Sequence, residues 1–139
     1  MRLLRKVIGV QKVIYVCLDD TELIFATKYA GETLDSLLVK GQLSIEQLMK
    51  VFRQLAVVLQ QVHAEGLTHS DVKMENVCVN LNYGMVRTTL IDLSLTQEPG
   101  AVYRFDPSLS THIAPEVAMT GTSAAADIYG LANIILRVD

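Results

Sequence analysis

The sequence predicts a mixed α+β fold in which a β-rich N-terminal segment precedes a mainly helical remainder. Three observations support this: β-branched and aromatic runs dominate the first thirty residues, an amphipathic pattern spans residues 44–66, and two further strand-like runs occupy residues 77–92. Half of the 139 residues are apolar and the mean hydropathy is +0.32, which excludes a disordered chain. The net charge of -3 argues against a basic nucleic-acid-binding surface.

The first thirty residues are predicted to form strands. The runs LLRKVIGV, KVIYVCL and ELIFATKYA, which start at Leu3, Lys12 and Glu22, are rich in β-branched residues. Asp19-Asp20 is typical of a turn between the second and third runs. The high hydropathy of so short a chain indicates apolar surface that something outside the chain covers, or a piece of a larger fold.

Two helices are predicted next. ETLDSLLVK reads as a short helix that ends at Gly41. Ser44 and Gln47 have the spacing of a capping box, and Gly66 is placed to end the long helix that follows. The predicted apolar face of this helix recurs at helical spacing and comprises Ile45, Leu48, Met49, Phe52, Leu55, Ala56, Leu59 and Val62.

The remaining elements are a hairpin, an irregular stretch and a last helix. VCVN and MVRTTLID are predicted strands, with Asn80, Asn82 and Gly84 as hairpin residues between them. Residues 93–112 carry no periodic pattern, and DIYGLANIILRV is predicted to be an apolar helix.

The cysteines and the apolar runs bear on the compartment. Cys17 and Cys78 stand inside apolar runs and make no disulfide framework, which favours free thiols in a reducing compartment. The apolar runs are shorter than the roughly 20 residues that span a bilayer. Gln11 and Lys12 interrupt the apolar N-terminus, which argues against a signal peptide. We therefore expect a cytoplasmic or nuclear protein.

A set of polar residues stands at fixed spacing between the long helix and the last one. His69, Asp71, Lys73 and Asn76 form the pattern H-x-D-x-K-x-x-N, and Asp92 follows a predicted strand. The tripeptide APE begins at Ala114, and Asp127 opens the last helix. In this order and at these separations the motifs resemble those of the protein kinase family over nearly the whole chain, from Leu3 to Val138.

The resemblance implies a fold and its limits. It implies an incomplete protein kinase-like domain over residues 1–139, with upper-lobe strands and the hinge in residues 1–30 and the helical lower lobe in residues 31–139. No G-x-G-x-x-G loop occurs in the sequence, and no strand with a phosphate-pairing lysine precedes the hinge. Gly9 stands alone, and Lys12 lies too close to the hinge to replace that lysine.

The resemblance also implies roles for four residues of the motif. Asp71 would accept the proton of a substrate hydroxyl, and Lys73 would steady the transferred phosphate. Asn76 and Asp92 would hold Mg²⁺, a cation that prefers oxygen ligands. The cofactors implied are therefore ATP and Mg²⁺.

The adenine site implied by the resemblance is less specific. The backbone of Lys28 and Ala30, on either side of Tyr29, would bind the adenine edge, with Thr27 at the back of the pocket. Cys78 would lie under the ring. An ordinary strand and turn explain the same residues, and the sequence leaves both readings open.

Several positions depart from the family pattern or have structural roles in it. Ser70 replaces an Arg that meets a phosphorylated activation segment, so Ser108, Ser110 and Thr111 are weak candidates for such phosphorylation. Leu109 stands where a Thr is expected. Leu93 and Ser94 replace the usual Phe and Gly.

Three further positions have structural counterparts in the family. His69 matches part of an internal apolar column, and Asp127 matches an acid that binds the catalytic-loop backbone. Glu116 matches a buried acid whose partner comes from a later helix.

The function expected from the resemblance is ATP-dependent transfer of the γ-phosphate to a protein hydroxyl, with Ser/Thr favoured. We expect the isolated chain to be inactive, because the Gly-rich loop and the strand lysine are missing. The alternative is a non-catalytic pseudokinase, or binding module, that holds a partner protein; an unrelated small helical domain is a third reading. No nucleic-acid or membrane partner is expected.

Overall fold

The computed structural model describes residues 3–18, 21–102, 104–106 and 108–138. The described strands are β1 (Val13–Leu18), β2 (Leu23–Thr27), β3 (Glu32–Thr33), β4 (Val77–Asn82) and β5 (Met85–Leu90). The described α-helices are α1 (Leu34–Val39), α2 (Ile45–Ala64), α3 (Val117–Thr120) and α4 (Ala124–Leu136). Short 3₁₀ helices span Leu3–Lys6 and Met74–Asn76. The turn predicted at Asp19-Asp20 lies outside the described residues.

The first predicted strand is wrong, because this segment begins with the 3₁₀ helix. Leu4, Val7 and Val10 are buried at a spacing of three residues, which does not match the alternation of a strand. Val10 forms an isolated parallel bridge with Leu90. The segment thus packs beside the end of β5 and does not join the hairpin that follows it.

The hairpin of β1 and β2 confirms the two other predicted strands, although β2 ends at Thr27 and not at Ala30. The strands pair antiparallel and form a two-stranded sheet of their own. Most of its large apolar side chains are more than half exposed: Ile14, Tyr15, Val16, Leu18, Leu23, Ile24 and Phe25. The hairpin therefore carries part of the exposed apolar surface that the hydropathy indicated.

Helix α2 begins and ends as predicted, but its buried face is rotated relative to the predicted one. The capping box between Ser44 and Gln47 is present in both directions. The buried residues of α2 are Leu48, Val51, Leu55, Val58, Leu59 and Val62, whereas Ile45, Met49 and Ala56 of the predicted face are exposed. The difference arises because α2 packs against both β5 and α4, which turns Val51 and Val58 inward.

The central hairpin of β4 and β5 completes a three-stranded sheet of order β3-β4-β5. Its turn is Tyr83-Gly84, with φ of 51° and 76°, as in a two-residue hairpin of the mirror-image type. The predicted turn residues Asn80 and Asn82 lie within β4. The amide of Gln54 joins α2 to β5, since it donates to Val86 O at 2.9 Å and accepts from Thr88 N at 2.8 Å.

The last part of the chain is irregular until α3. No helix or strand occurs among the described residues of 93–112, although Thr68 and Gln97 form an antiparallel bridge. Helix α4 begins three residues before the predicted start, because Ser123 caps it by accepting from Ala126 N. Within the described ranges, no helix has the length and apolarity needed to cross a membrane.

Candidate active site

The loop of residues 68–76, between α2 and β4, carries most of the predicted site and is fixed at both ends. At its start the backbones of Thr68 and Gln97 exchange hydrogen bonds of 2.8 and 3.1 Å. At its end Asn76 lies in a 3₁₀ turn, and its carbonyl accepts from Ile91 N at 2.8 Å. The loop is therefore held between the irregular segment after β5 and the end of β5 itself.

Asp127 of α4 organises the first half of this loop. Its carboxylate accepts from the backbone N–H groups of His69 and Ser70, each at 2.8 Å. These are the hydrogen bonds to the loop backbone that the resemblance implied. Ser70 has a φ of 69°, which is uncommon for a residue with a side chain, and the bond from its N–H stabilises that conformation. His63 of α2 lies 2.8 Å from the same carboxylate and ties a second helix to it.

His69 connects the loop to the end of β5. Its Nδ1 accepts from Asp71 N at 3.3 Å and its Nε2 donates to Ile91 O at 3.1 Å, which requires a neutral ring protonated at Nε2. Burial lowers the pKa of His69, opposed by the nearby carboxylates of Asp127, Asp71 and Asp92. Because one ring bonds the backbone of both Asp71 and Ile91, the fold brings Asp71 close to the residue that directly precedes Asp92.

Asp71 is the centre of a cluster of three donors. His112 Nε2 lies 2.9 Å from Oδ1, while Lys73 Nζ and Asn76 Nδ2 lie 2.8 and 2.7 Å from Oδ2. Asn76 Nδ2 also donates to the Asp71 carbonyl at 2.9 Å. The structure thus brings together three of the residues that the motif singled out.

The donors around Asp71 determine its charge. Burial by itself raises the pKa of this carboxyl, but the hydrogen bonds from His112, Lys73 and Asn76 outweigh burial and hold the pKa well below its usual range. Asp71 is therefore ionised at neutral pH and has the charge that a proton acceptor needs.

Protonation of Asp71 is expected to destabilise the fold at acid pH. Since its pKa is lowered in the folded state, its stabilising contribution is complete above the unfolded pKa of about 3.9 and is lost as pH falls toward the folded value. Urea unfolding between pH 7 and pH 2.5 should show a steeper loss in the parent chain than in Asp71→Asn. Glu98→Gln, at an exposed acid, is the control and should follow the parent. Parallel curves for the parent and Asp71→Asn would contradict this prediction.

Asp92 lies in a tight turn after β5, with a φ of 58° and an exposed side chain. Its Oδ1 accepts from Ser94 N at 3.2 Å and from Ser94 Oγ at 2.6 Å. The replacement of Gly by Ser at position 94 therefore adds a hydrogen bond that orients the Asp92 carboxylate. The residue of this turn that has the positive φ is Asp92 itself and not Ser94.

Two oxygen atoms remain available for a cation. Both hydrogen bonds of the Asn76 amide come from Nδ2, which leaves its Oδ1 as a possible ligand. Asp92 Oδ2 accepts nothing from the described residues. Among those residues no group of three or more His, Cys, Asp or Glu side chains could hold a metal ion. The amide and carboxylate oxygens left available are of the kind that Mg²⁺ takes beside phosphate and water. The donor set thus fits Mg²⁺.

The residues predicted to bind adenine lie where β2 leads into β3. Lys28 is exposed, Ala30 is half-buried, and Cys78 is a buried free thiol on β4, opposite Thr33. Burial raises the pKa of Cys78, so the thiol is neutral and acts as an apolar group. Residues 28–31 form the linker between β2 and β3. Thr27 Oγ1 accepts from Gln11 Nε2 at 2.8 Å, which fixes the start of this linker.

Two residues differ from the expectations at the site. Glu116 is exposed and not buried, so no buried carboxylate is left without a partner there. His112, which contacts Asp71, was missed because it lies in the irregular stretch where no periodic pattern marks it. The one feature of the sequence that could have identified His112 is its position two residues before Ala114.

Comparison with known proteins identifies the family of the chain. A family model described as "Protein kinase domain" matches residues 2–138. The chain belongs to the protein kinase family. The kinase PK-1 of Cydia pomonella granulovirus has a similar structure, with a TM-score of 0.79 and 18% sequence identity over 99% of this chain and 51% of that one. At this identity the likeness concerns the fold, which is that of a partial kinase domain of mixed α+β class.

Curated relatives are protein kinases of plants and bacteria. Calcium-dependent protein kinase 29 of Arabidopsis thaliana is 29% identical over 86% of this chain and 23% of its own length. Serine/threonine-protein kinase PknD of Mycobacterium tuberculosis is 35% identical over 76% of this chain and 16% of its own length. This kinase-family chain therefore spans a quarter or less of the length of these relatives.

Proposed function

We propose that the site around Asp71 serves the transfer of the γ-phosphate of ATP to a protein hydroxyl, with Ser/Thr favoured over Tyr. The observation that carries the proposal is the position of the Asp71 carboxylate, whose Oδ2 lies 2.8 Å from Lys73 Nζ and 2.7 Å from Asn76 Nδ2. The pattern Asp-x-Lys-x-x-Asn and the Ser/Thr kinases among the relatives support the choice of acceptor.

Each residue has a distinct task in this reaction. Asp71 accepts the proton of the attacking hydroxyl, and the Nζ of Lys73 places positive charge beside the transferred group. Asn76 and Asp92 would hold Mg²⁺, which would neutralise negative charge on the phosphates. ATP would supply the phosphoryl group. The backbone of Lys28 and Ala30 would bind the edge of its adenine, and Cys78 would lie under the adenine ring.

We further propose that this polypeptide by itself transfers little phosphate. Its sequence contains no Gly-rich loop and no strand lysine for the phosphates, so negative charge that develops there is not neutralised. The proposed setting is the cytoplasm or nucleus, where Cys17 and Cys78 stay reduced.

A second candidate is a non-catalytic binding module that holds a partner protein. The observation in its favour is the exposed apolar surface of the β1–β2 hairpin, where Tyr15 and Phe25 are each about 60% exposed. The Ser residues at positions 70 and 94, which replace the family's Arg and Gly, also favour this candidate.

Thermal unfolding with and without ATP and Mg²⁺ tests the proposed nucleotide site. A ligand present at 100 times its Kd adds about 2.7 kcal/mol of stability, so a clear rise in melting temperature is expected. Asp92→Asn should lose the Mg²⁺-dependent part of the rise, whereas Glu98→Gln should keep it. An equal rise in Asp92→Asn would contradict the metal assignment, and no rise in any variant would favour the binding module.

A phosphotransfer assay tests the reaction itself. We expect barely detectable labelling of a Ser/Thr peptide by the parent chain and none by Asp71→Asn. Strong labelling that Asp71→Asn abolishes would contradict the proposed weak activity and support the proposed chemistry. Labelling that persists in Asp71→Asn would exclude Asp71 as the proton acceptor.

A further inference from the structure

The exposed side of helix α4 is apolar along its whole length. The buried residues of α4 lie on the other side, where the helix packs against α2 and the loop of residues 68–76. At about 100° per residue, the exposed residues fall on a single arc of roughly 140°. Within α4, all of which is described, this arc contains no polar side chain. The exposed α4 face consists of Ala124, Ala125, Ile128, Tyr129, Ala132, Ile135 and Leu136.

Such a face is unlike that of a helix exposed to water, and α2 of the same chain provides the contrast. The exposed residues of α2 include Glu46 and Lys50, which form an ion pair. The one charged residue within α4, Asp127, is buried. Arg137 follows the helix directly and donates to Thr111 Oγ1 at 2.6 Å. The exposed α4 face therefore has the composition of a surface that a partner covers.

The size of the exposed α4 face matches what two chains would bury. The chain exposes 8928 Å² in total, whereas a compact monomer of 15.3 kDa exposes about 7,100 Å². The four large residues of the face are between 41% and 75% exposed, which amounts to about 400 Å² at roughly 200 Å² for a whole side chain. With the three alanines the face reaches about 500 Å² per copy, so two copies bury the total of about 1,000 Å² that a specific interface needs.

The order of small and large residues on this face fits a second copy of the same helix. When two such helices run antiparallel about a two-fold axis beside residue 130, residue 125 of each lies opposite residue 135 of the other, and 128 lies opposite 132. Ala125 then meets Ile135, and Ile128 meets Ala132, so a small side chain faces a large one in each layer. In a parallel pair alanine would face alanine and isoleucine would face isoleucine, which alternates gaps with crowded layers.

We propose that two copies of this chain pair through α4 in an antiparallel, two-fold symmetric arrangement. The proposal goes beyond the proposed phosphotransfer and does not depend on it, because the face includes no residue of the Asp71 site. Asp127 belongs to the same helix and binds the backbone of the loop of residues 68–76. Pairing is therefore expected to stabilise that loop together with α4.

Sedimentation equilibrium of the 139-residue chain tests the pairing. We expect a mass that rises from 15.3 kDa toward twice that value between about 1 and 200 µM, because a small interface gives modest affinity. Ala132→Glu places a charge in the middle of the face and should weaken association about 100-fold or more. Ala56→Glu, the same change at an exposed alanine of α2, should keep the parent's dissociation constant. A parent chain that stays at 15.3 kDa at the highest concentration would overturn the pairing.

A variant of the β1–β2 hairpin distinguishes the two apolar surfaces of the chain. Phe25→Glu changes a residue that is 61% exposed on the hairpin and should leave the association unchanged. Association that survives Ala132→Glu but is lost in Phe25→Glu would assign the interface to the hairpin and overturn the proposal. The melting temperature of the parent should rise with protein concentration, while that of Ala132→Glu should stay constant and equal to the parent's value at high dilution.

Disulfide cross-linking tests the direction and register of the pair independently of Ala132→Glu. In a Cys17→Ser background, a chain with Ala125→Cys and a chain with Ile135→Cys are oxidised mildly, alone and as a mixture. We expect a covalent dimer in the mixture and almost none in either chain alone, because residue 125 lies about 15 Å along the axis from its own copy in the antiparallel pair. A covalent dimer of the Ala125→Cys chain with itself, or none in the mixture, would contradict the antiparallel arrangement.

Discussion

Replacement of Asp127 by Ala is expected to lower the free energy of unfolding by about 3–5 kcal/mol. Asp127 is 2% exposed, and its carboxylate accepts from the N–H groups of His69 and Ser70 at 2.8 Å each. Without it both N–H groups lose their acceptor, and a buried donor left without a partner costs about 1–3 kcal/mol. His63 loses its contact as well, and Ser70 loses the bond that holds its positive φ.

Urea unfolding at pH 7 measures this effect, with Asp127→Asn and Glu98→Ala as comparisons. Asn keeps one acceptor oxygen and should lose clearly less stability than Ala, because one of the two backbone bonds can remain. Glu98→Ala, at an exposed acid, should change stability by less than about 0.5 kcal/mol. A loss below 1 kcal/mol in Asp127→Ala would show that the loop does not depend on this carboxylate.

The same variant has consequences for the site. His69 and Ser70 precede Asp71 directly, so release of their N–H groups lets the loop leave its conformation. The stabilisation by ATP and Mg²⁺ should therefore be smaller in Asp127→Ala than in the parent chain, even at temperatures where the variant is still folded. Asp127 has this effect as a positioning residue, since no contact joins it to Asp71.

The elements that could be predicted from the sequence are those with a strong local signal. The capping box at Ser44 and the apolar period of α2 fixed the bounds of that helix closely, and β-branched runs indicated β1 and β5. The rotation of the α2 face could not be predicted, since it depends on α4, which lies far along the chain. The Leu3–Lys6 helix was missed because the β-branched residues Val7, Ile8 and Val10, which follow it in the same run, are typical of a strand.

The residues of the site likewise divide into those that a local motif predicts and those that only the tertiary structure brings together. Asp71, Lys73 and Asn76 are close in sequence, so one motif predicted a cluster that the fold indeed forms. The contact of His112 with Asp71 joins two segments without periodicity, and only tertiary structure brings them together. Glu116 was expected to be buried by resemblance alone, and nothing local to the sequence could show that it is exposed.

Replacement of Gly31 by Ala is expected to be the second most disruptive of the changes considered, with a loss of about 3 kcal/mol or more. Gly31 has a φ of 110°, and a Cβ placed on it would lie 2.2 Å from Val79 O. Val79 belongs to β4 and pairs with Glu32, so neither backbone can move without breaking the β3–β4 ladder. The backbone strain of a positive φ and the steric overlap with Val79 O therefore both lower the stability of Gly31→Ala.

Gly41→Ala is the matched control, because it isolates the strain. Gly41 has a φ of 61°, and nothing lies within 4 Å of a Cβ built there, so its replacement should cost only about 1 kcal/mol. Urea unfolding of both variants measures the difference. Since Gly31 directly follows Ala30, the clash would also displace the linker proposed to bind adenine, and the rise in melting temperature with ATP and Mg²⁺ should be lost in Gly31→Ala and kept in Gly41→Ala. Equal losses of stability in the two variants would contradict the expected clash with Val79, and an equal rise with ATP and Mg²⁺ in both would contradict the proposed link between Gly31 and the adenine site.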